Sequence, residues 1–141
     1  SGSPRATENV FLSFNLDATA DPSGLDFDPT SSGTYNSSTS TTVYDSLGEP
    51  HILQYFFAKQ DPASPTGAEN SWDVYATLDG KVVGSYGEEQ TTATYAPLTT
   101  LGFNSSGLPS TTGGVANTNT TTFDEILLPA GSGAGLSTLL D

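Results

Sequence analysis

The sequence predicts an all-β fold, a single antiparallel domain of barrel-like or sandwiched form. Three observations predict it. Helical periodicity is nearly absent, and period-two alternation recurs instead. Gly, Pro, Asn, Asp and Ser punctuate the alternating runs at short spacing. The chain has 141 residues, one domain's worth, and a chain of this size buries about two-thirds of its unfolded surface. A core is therefore feasible without disulfide staples.

The elements follow in order. Residues 1–5 read as a cloning remnant, Ser1-Gly2-Ser3, with its flank, and residues 6–141 as one domain. Val10, Leu12, Phe14 and Leu16 alternate with Phe11, Ser13 and Asn15, which predicts a first strand. Residues 17–36 hold Pro22, Gly24, Pro29 and Gly33 and read as a long loop. Residues 38–44 form a polar β-branched run suited to a partly exposed strand. Residues 45–50 are a turn, with Gly48 free to take positive φ and Pro50 unable to donate to a ladder. Residues 51–59 are the most apolar strand. Ile52, Phe56 and Ala58 share one face with Gln54, while Leu53, Tyr55 and Phe57 share the other. Apolar residues on both faces place this strand centrally.

Residues 60–71 carry Pro62, Pro65 and Gly67 and read as a loop. Trp72, Val74, Ala76 and Leu78 then alternate with Asp73, Tyr75, Thr77 and Asp79. Asp79-Gly80 before Lys81-Val82-Val83 is the clearest hairpin signal in the chain, because a type I′ turn needs positive φ at both central residues. Residues 90–95 and 97–103 each read as strands. Residues 110–119 are rich in Ser, Thr, Gly and Asn and are expected to be mobile. Residues 121–128, with Phe123, Ile126 and Leu128, give a late strand, and 136–140 resume an apolar run. Seven to nine strands result. The expected core includes Leu12, Phe14, Ile52, Phe56, Trp72, Val74, Leu78 and Phe123.

Composition excludes several functions. Three Lys and Arg face sixteen Asp and Glu, a formal charge of −13. Arg5, Lys59 and Lys81 cannot neutralise a run of phosphates, so nucleic-acid binding and an anionic membrane surface are both disfavoured. Charged residues are only 13% of the chain, so Ser and Thr, roughly a quarter of it, must cover much of the surface. No Cys is present, which removes disulfides, thiolate zinc sites and thiol catalysis. No apolar run approaches the ~20 residues of a membrane span.

Candidate chemistry is sparse. His51 is the single imidazole, and no Gly-x-Ser-x-Gly elbow accompanies it, so it reads as structural and no catalysis is expected. Asp26 and Asp28, near Asp21, place carboxylates on one face of an extended segment. A hard cation such as calcium wants several oxygens of this kind, but EF-hand spacing is absent and a solvated acidic loop is the plainer reading. Glu88-Glu89 forms no convincing acid pair for glycoside hydrolysis. No cofactor motif is present. Asn36, Asn104 and Asn119 begin Asn-x-Ser/Thr triplets of the kind that arise by chance in so Ser/Thr-rich a chain. Two other classes stay open beside a structural one: a carbohydrate-binding or adhesin β-sandwich, and an acidic glycosidase.

Four segments resemble a known family. Residues 10–18 (Val-Phe-Leu-Ser-Phe-Asn-Leu-Asp-Ala) resemble the start of the outer domain of bacterial flagellar hook proteins. Residues 38–51 are similar to that family's Ser-Thr-Thr-Val-Tyr-Asp-Ser-Leu-Gly-x-x-His run, here with Val43, Tyr44, Asp45, Leu47, Gly48 and His51. Trp72 falls where the family has its Trp-containing strand. Residues 101–107 resemble a later Leu-x-Phe-Asn/Asp-x-x-Gly strand and turn. Rod and distal rod proteins share parts of the pattern. The resemblance implies an outer domain, excised from between two halves of an inner domain and without the helical ends that polymerise. It implies an extracellular structural part, exported unfolded by the flagellar type III apparatus. Its partners would be other copies in a helical tube and the adjoining axial proteins, with the isolated fragment monomeric in dilute solution.

Overall fold

A computed structural model describes residues 16–17, 19–45, 47–65, 67, 69–84 and 87–103, with the backbone of 9–10, 111–112, 115–116, 126–127 and 137–140. The strands are β1 (Asn9–Val10), β2 (Ser37–Tyr44), β3 (Pro50–Lys59), β4 (Ser71–Leu78), β5 (Lys81–Val83), β6 (Thr99–Gly102), β7 (Thr111–Thr112), β8 (Val115–Ala116), β9 (Ile126–Leu127) and β10 (Ser137–Leu140). Among the described residues these ten segments exceed the expected seven to nine, because two-residue ladders leave no alternation to read. One short 3-10 turn, Ser32–Thr34, interrupts the loop before β2.

The main sheet has five strands in the order β2-β3-β4-β5, with β6 also paired to β4. All its pairings are antiparallel. β5 and β6 share one edge of β4: β5 lies along Ala76–Leu78 and β6 along Ser71–Val74. The sheet does not close on itself, so the arrangement is sandwich-like rather than a barrel. One pairing departs from the antiparallel expectation, since β1 runs parallel to β10. Strands from the two ends of the sequence have no tight turn between them to impose antiparallel pairing.

β3 is buried on both faces, as its apolar runs require. Leu53, Tyr55 and Phe57 pack with Val43, Trp72, Val74, Ala76, Leu78, Val83 and Leu101 on one face. Leu16, Ala20, Leu98 and Phe103 close over that cluster. On the other face Phe56 packs with Phe27, Tyr75 and Val82. The 17–36 loop supplies the cover there. Phe27 stacks on Tyr75 with ring centroids 4.1 Å apart, and Tyr35 meets Phe56 edge-on at 4.9 Å. Such aromatic pairs contribute about 0.5–1.5 kcal/mol beyond their buried area.

Of the expected core, Phe56, Trp72, Val74 and Leu78 are buried. Leu12, Phe14 and Phe123 lie outside the described residues. Ile52 is a correction: it is 50% exposed. It shares the Phe56 face, but it sits two rows beyond Phe56, opposite Thr42, where the aromatic cover does not reach. Ile52→Thr is therefore expected to change unfolding free energy in urea by no more than about 0.5 kcal/mol, as at ordinary surface positions.

Residues 90–95 are a second correction, since they form no strand. The side chain of Gln90 takes the place of a neighbouring strand. Its Nε2 donates to the carbonyls of Val83 (3.0 Å) and Ala96 (2.9 Å), and its Oε1 accepts from the Ala96 amide (2.8 Å). Within 110–119, β7 and β8 pair as an antiparallel ladder, and the remainder lies outside the described residues.

Candidate functional site

Among the described residues, a cluster of mutually hydrogen-bonded polar side chains lies at one end of the main sheet, where two turns meet. The β2–β3 turn begins with Asp45, whose amide donates to the Glu49 carbonyl (3.0 Å) and whose carbonyl accepts from Gly48 (2.9 Å). Gly48 sits at φ 82°, which a side chain at that position would strain. Asp45 Oδ1 also accepts from the Leu47 and Glu49 amides, both at 2.9 Å. This short side chain organises its own turn.

The β4–β5 turn holds Asp79 at φ 51° and Gly80 at φ 85°, the two positive values of a type I′ hairpin. The Asp79 amide donates to the Ile52 carbonyl (2.8 Å), and Asp79 Oδ1 accepts from the Ile52 amide (2.9 Å). Asp79 thereby continues the ladder past the end of β4.

His51 bridges the two turns. Its Nε2 lies 2.8 Å from Asp45 Oδ2 and its Nδ1 2.6 Å from Asp79 Oδ2. The hydrogen bonds that Asp45 and then Asp79 accept, reinforced by their charges, raise the imidazole above its ordinary value. The His51 hydrogen bond, followed by the Glu49 and Leu47 amides, holds the Asp45 carboxyl low against the cost of burial. Partial burial pushes Asp79 up, but the His51 hydrogen bond, the Ile52 amide and the imidazolium charge outweigh it, and its carboxyl also lies below the usual range. Ionised carboxylates only accept, so their pairing with both ring nitrogens favours the protonated imidazolium. A ring that donates from both nitrogens has no lone pair left to act as a base.

The structure brings Asp45, Gly48 and His51 into this one corner. Val43 lies directly opposite His51 in the ladder and is buried. Tyr44 and Leu47 are exposed beside them. Trp72 is elsewhere, buried near the start of β4 and opposite Lys59. Asp79 was missed as a site residue, because it lies 28 positions from His51. Its Asp-Gly turn was visible, but nothing local tied that turn to His51.

The acidic loop assembles differently. Asp28 Oδ1 accepts from the Thr30 amide (2.9 Å) and hydroxyl (2.7 Å), so it folds back on its own turn, and these bonds lower its carboxyl. Asp26 is exposed. Among the described residues no three His, Asp or Glu side chains come together to hold a metal. The Asn36 amide group is occupied at both ends, donating to the Asp21 carbonyl (2.8 Å) and accepting from the Lys59 amide (2.9 Å). A glycan there would have to displace those bonds. Asn104 and Asn119 lie outside the described residues.

No curated protein sequence matches the chain significantly. A family model does: the flagellar basal body protein FlaE D2 domain matches residues 15–139. That span includes the 38–51 run, the Asp45–His51 turn, the Trp72 strand and the whole main sheet. The chain belongs to the flagellar hook protein D2 domain family, a structural family of the bacterial flagellum.

Proposed function

We propose that this chain is the outer domain of a hook protein, a structural subunit of the flexible joint that transmits torque from motor to filament. The family match over residues 15–139 carries this reading. Membership of the family implies self-assembly with other copies and other flagellar proteins. The domain is read as an insertion spanning 6–141 between two halves of an inner domain, exported by the flagellar type III apparatus. The parallel pairing of β1 with β10 supports this, since it sets residue 9 beside residue 139.

A hook bends as it turns, so neighbouring outer domains must slide. The face of β2 supports such motion: Ser38, Ser40 and Thr42 are exposed. Short hydroxyl side chains exchange hydrogen bonds with water at little net cost. Large apolar anchors would lock one geometry. The same reading assigns no catalysis, since the one imidazole is engaged at both nitrogens. The isolated domain is monomeric at micromolar concentration, where a charge of −13 adds repulsion.

The test is deletion of this domain from the full hook protein in a motile strain. The expected result is a tube that still assembles but is straight or mechanically altered, seen by electron microscopy and swimming assays. Complete failure to form a tube would overturn the assignment to the outer surface.

A further inference from the structure

Asp79 and Gly80 form the single Asp-Gly pair in the chain, and no Asn-Gly pair is present. In this dipeptide the main-chain nitrogen can attack the preceding side chain, because glycine puts no side chain over that nitrogen. The Gly80 nitrogen bonds to Asp79 Cγ, and the carboxyl hydroxyl leaves with the amide proton as water. A second water then opens the cyclic imide at either carbonyl. Opening at Cγ restores aspartate. Opening at the main-chain carbonyl gives isoaspartate, of unchanged composition, with the main chain now running through the Asp79 side chain.

In this fold the nitrogen is unhindered and the carboxyl is held. Gly80 is exposed, and nothing lies within 4 Å of where its Cβ would stand. Its amide donates to no acceptor among the described residues. The Asp79 side chain is 50% exposed, so water reaches it. Its oxygens, however, are both tied to β3: Oδ1 accepts from the Ile52 amide (2.9 Å), and Oδ2 lies 2.6 Å from His51 Nδ1. Turning Cγ toward the Gly80 nitrogen strains both bonds. Attack also needs the neutral acid, since a carboxylate is a poor electrophile. Against the cost of partial burial, the His51 hydrogen bond, the Ile52 amide and the charge of the ring keep this carboxyl ionised. The ring is fixed in turn by Asp45 Oδ2, 2.8 Å from its other nitrogen.

We propose that Asp79-Gly80 is a site of isoaspartate formation that the His51 corner keeps closed in the folded domain. His51 is a positioning residue here: it holds the carboxyl and takes no part in the bond changes. The Ile52 amide alone would secure one oxygen and leave the other free to carry the proton that attack requires. The site opens when the corner opens, in the unfolded chain or when the ring is removed. The product does not fit the corner. Isoaspartate lengthens the main chain by one carbon at a type I′ turn, whose dihedral angles the added carbon disrupts. It also moves the carboxylate onto the Asp79 Cα, away from His51.

The experiment follows isoaspartate at residue 79 by enzymatic methylation and peptide mapping, with the 141-residue chain held for weeks at fixed temperature and pH. The folded chain should accumulate it about tenfold more slowly, or slower still, than the same chain in guanidinium chloride, the worth of a hydrogen bond to a charged group. His51→Ala should remove most of that protection. Leu101→Ala, in β6 opposite Trp72, controls for lost stability: with a urea midpoint lowered at least as far, it should keep the slow rate. Protection should be greatest above the ordinary carboxylate value and below that of His51, roughly pH 4 to 6.5. It should shrink as pH rises through the raised His51 value. Asp45 and Asp79 are the carboxylates that face the ring; Glu49 and Lys81, beside them in the chain, are exposed and make no ion pair with it among the described residues. Equal rates in the folded and unfolded chain would overturn the proposal. So would a His51→Ala chain as slow as the parent, or a Leu101→Ala chain as fast as His51→Ala. Should His51→Ala not fold, the pH profile of the parent decides, and protection that stays constant through the titration of His51 overturns its role.

Discussion

Trp72→Ala is expected to cost about 3–5 kcal/mol of unfolding free energy, the range for truncating a large aromatic in a core. Trp72 is 2% exposed and lies in the cluster with Tyr55, Val74 and Leu101. It is paired on one side with Lys59 and on the other with Leu101. Removing it therefore opens a cavity where β3, β4 and β6 meet, and strands on both sides cannot collapse into it together. Domains have total stabilities of about 5–15 kcal/mol, so this one change removes a large share. The melting temperature should fall by roughly 10 °C or more at this chain length. Urea unfolding followed by far-UV circular dichroism measures it, and Trp72→Phe should recover much of the loss. A loss below about 1 kcal/mol would mean that this face is not the core.

The second large effect is at His51. His51→Ala should cost about 1–3 kcal/mol, the range for hydrogen bonds to charged groups, and the cost should depend on pH. The imidazole is only 17% exposed, and both its partners are carboxylates. The sign follows from the directions of the shifts. The folded value of His51 is raised, so its contribution is complete below the unfolded value and is lost as pH climbs through the folded one. Asp45 and Asp79 are lowered, so theirs is complete above the unfolded carboxylate value and is lost as pH falls through the folded one. The difference between the parent chain and His51→Ala is therefore largest between roughly pH 4 and pH 6.5. It narrows as the pH is raised into the alkaline range. Denaturant titrations at mildly acid and alkaline pH check this. A difference that grows with pH would show that the ring is neutral in the folded domain.

Much of the main sheet was legible because its signals are local. The two-faced run of β3, the alternation of β4 and the Asp79-Gly80 turn each fix a conformation within a few residues. What alternation cannot say is which loop will cover a face. Ile52 and Phe56 have the same parity, yet the aromatic cover from the 17–36 loop reaches Phe56 alone. Residues 90–95 have strand-like composition, but no ladder forms over them; the Gln90 side chain instead bonds the backbone of Val83 and Ala96 on either side. The His51 corner was half legible. Asp45 and Gly48 announce their turn locally, whereas Asp79 arrives from another hairpin, and only the register of β3 on β4 brings it to His51.

The parallel pair of β1 and β10 has a mechanical consequence. In a parallel pair, tension applied at the start of the first strand and at the end of the last acts along the strands in opposite directions. Asn9 faces Leu139 and Val10 faces Leu140, so such a load slides the two strands past each other and strains their hydrogen bonds together. An antiparallel pair pulled from one end would instead peel open one bond at a time. Were the domain hung from its neighbours by these two strands, as the proposed insertion implies, tension would load it in shear, the direction in which a short ladder yields last.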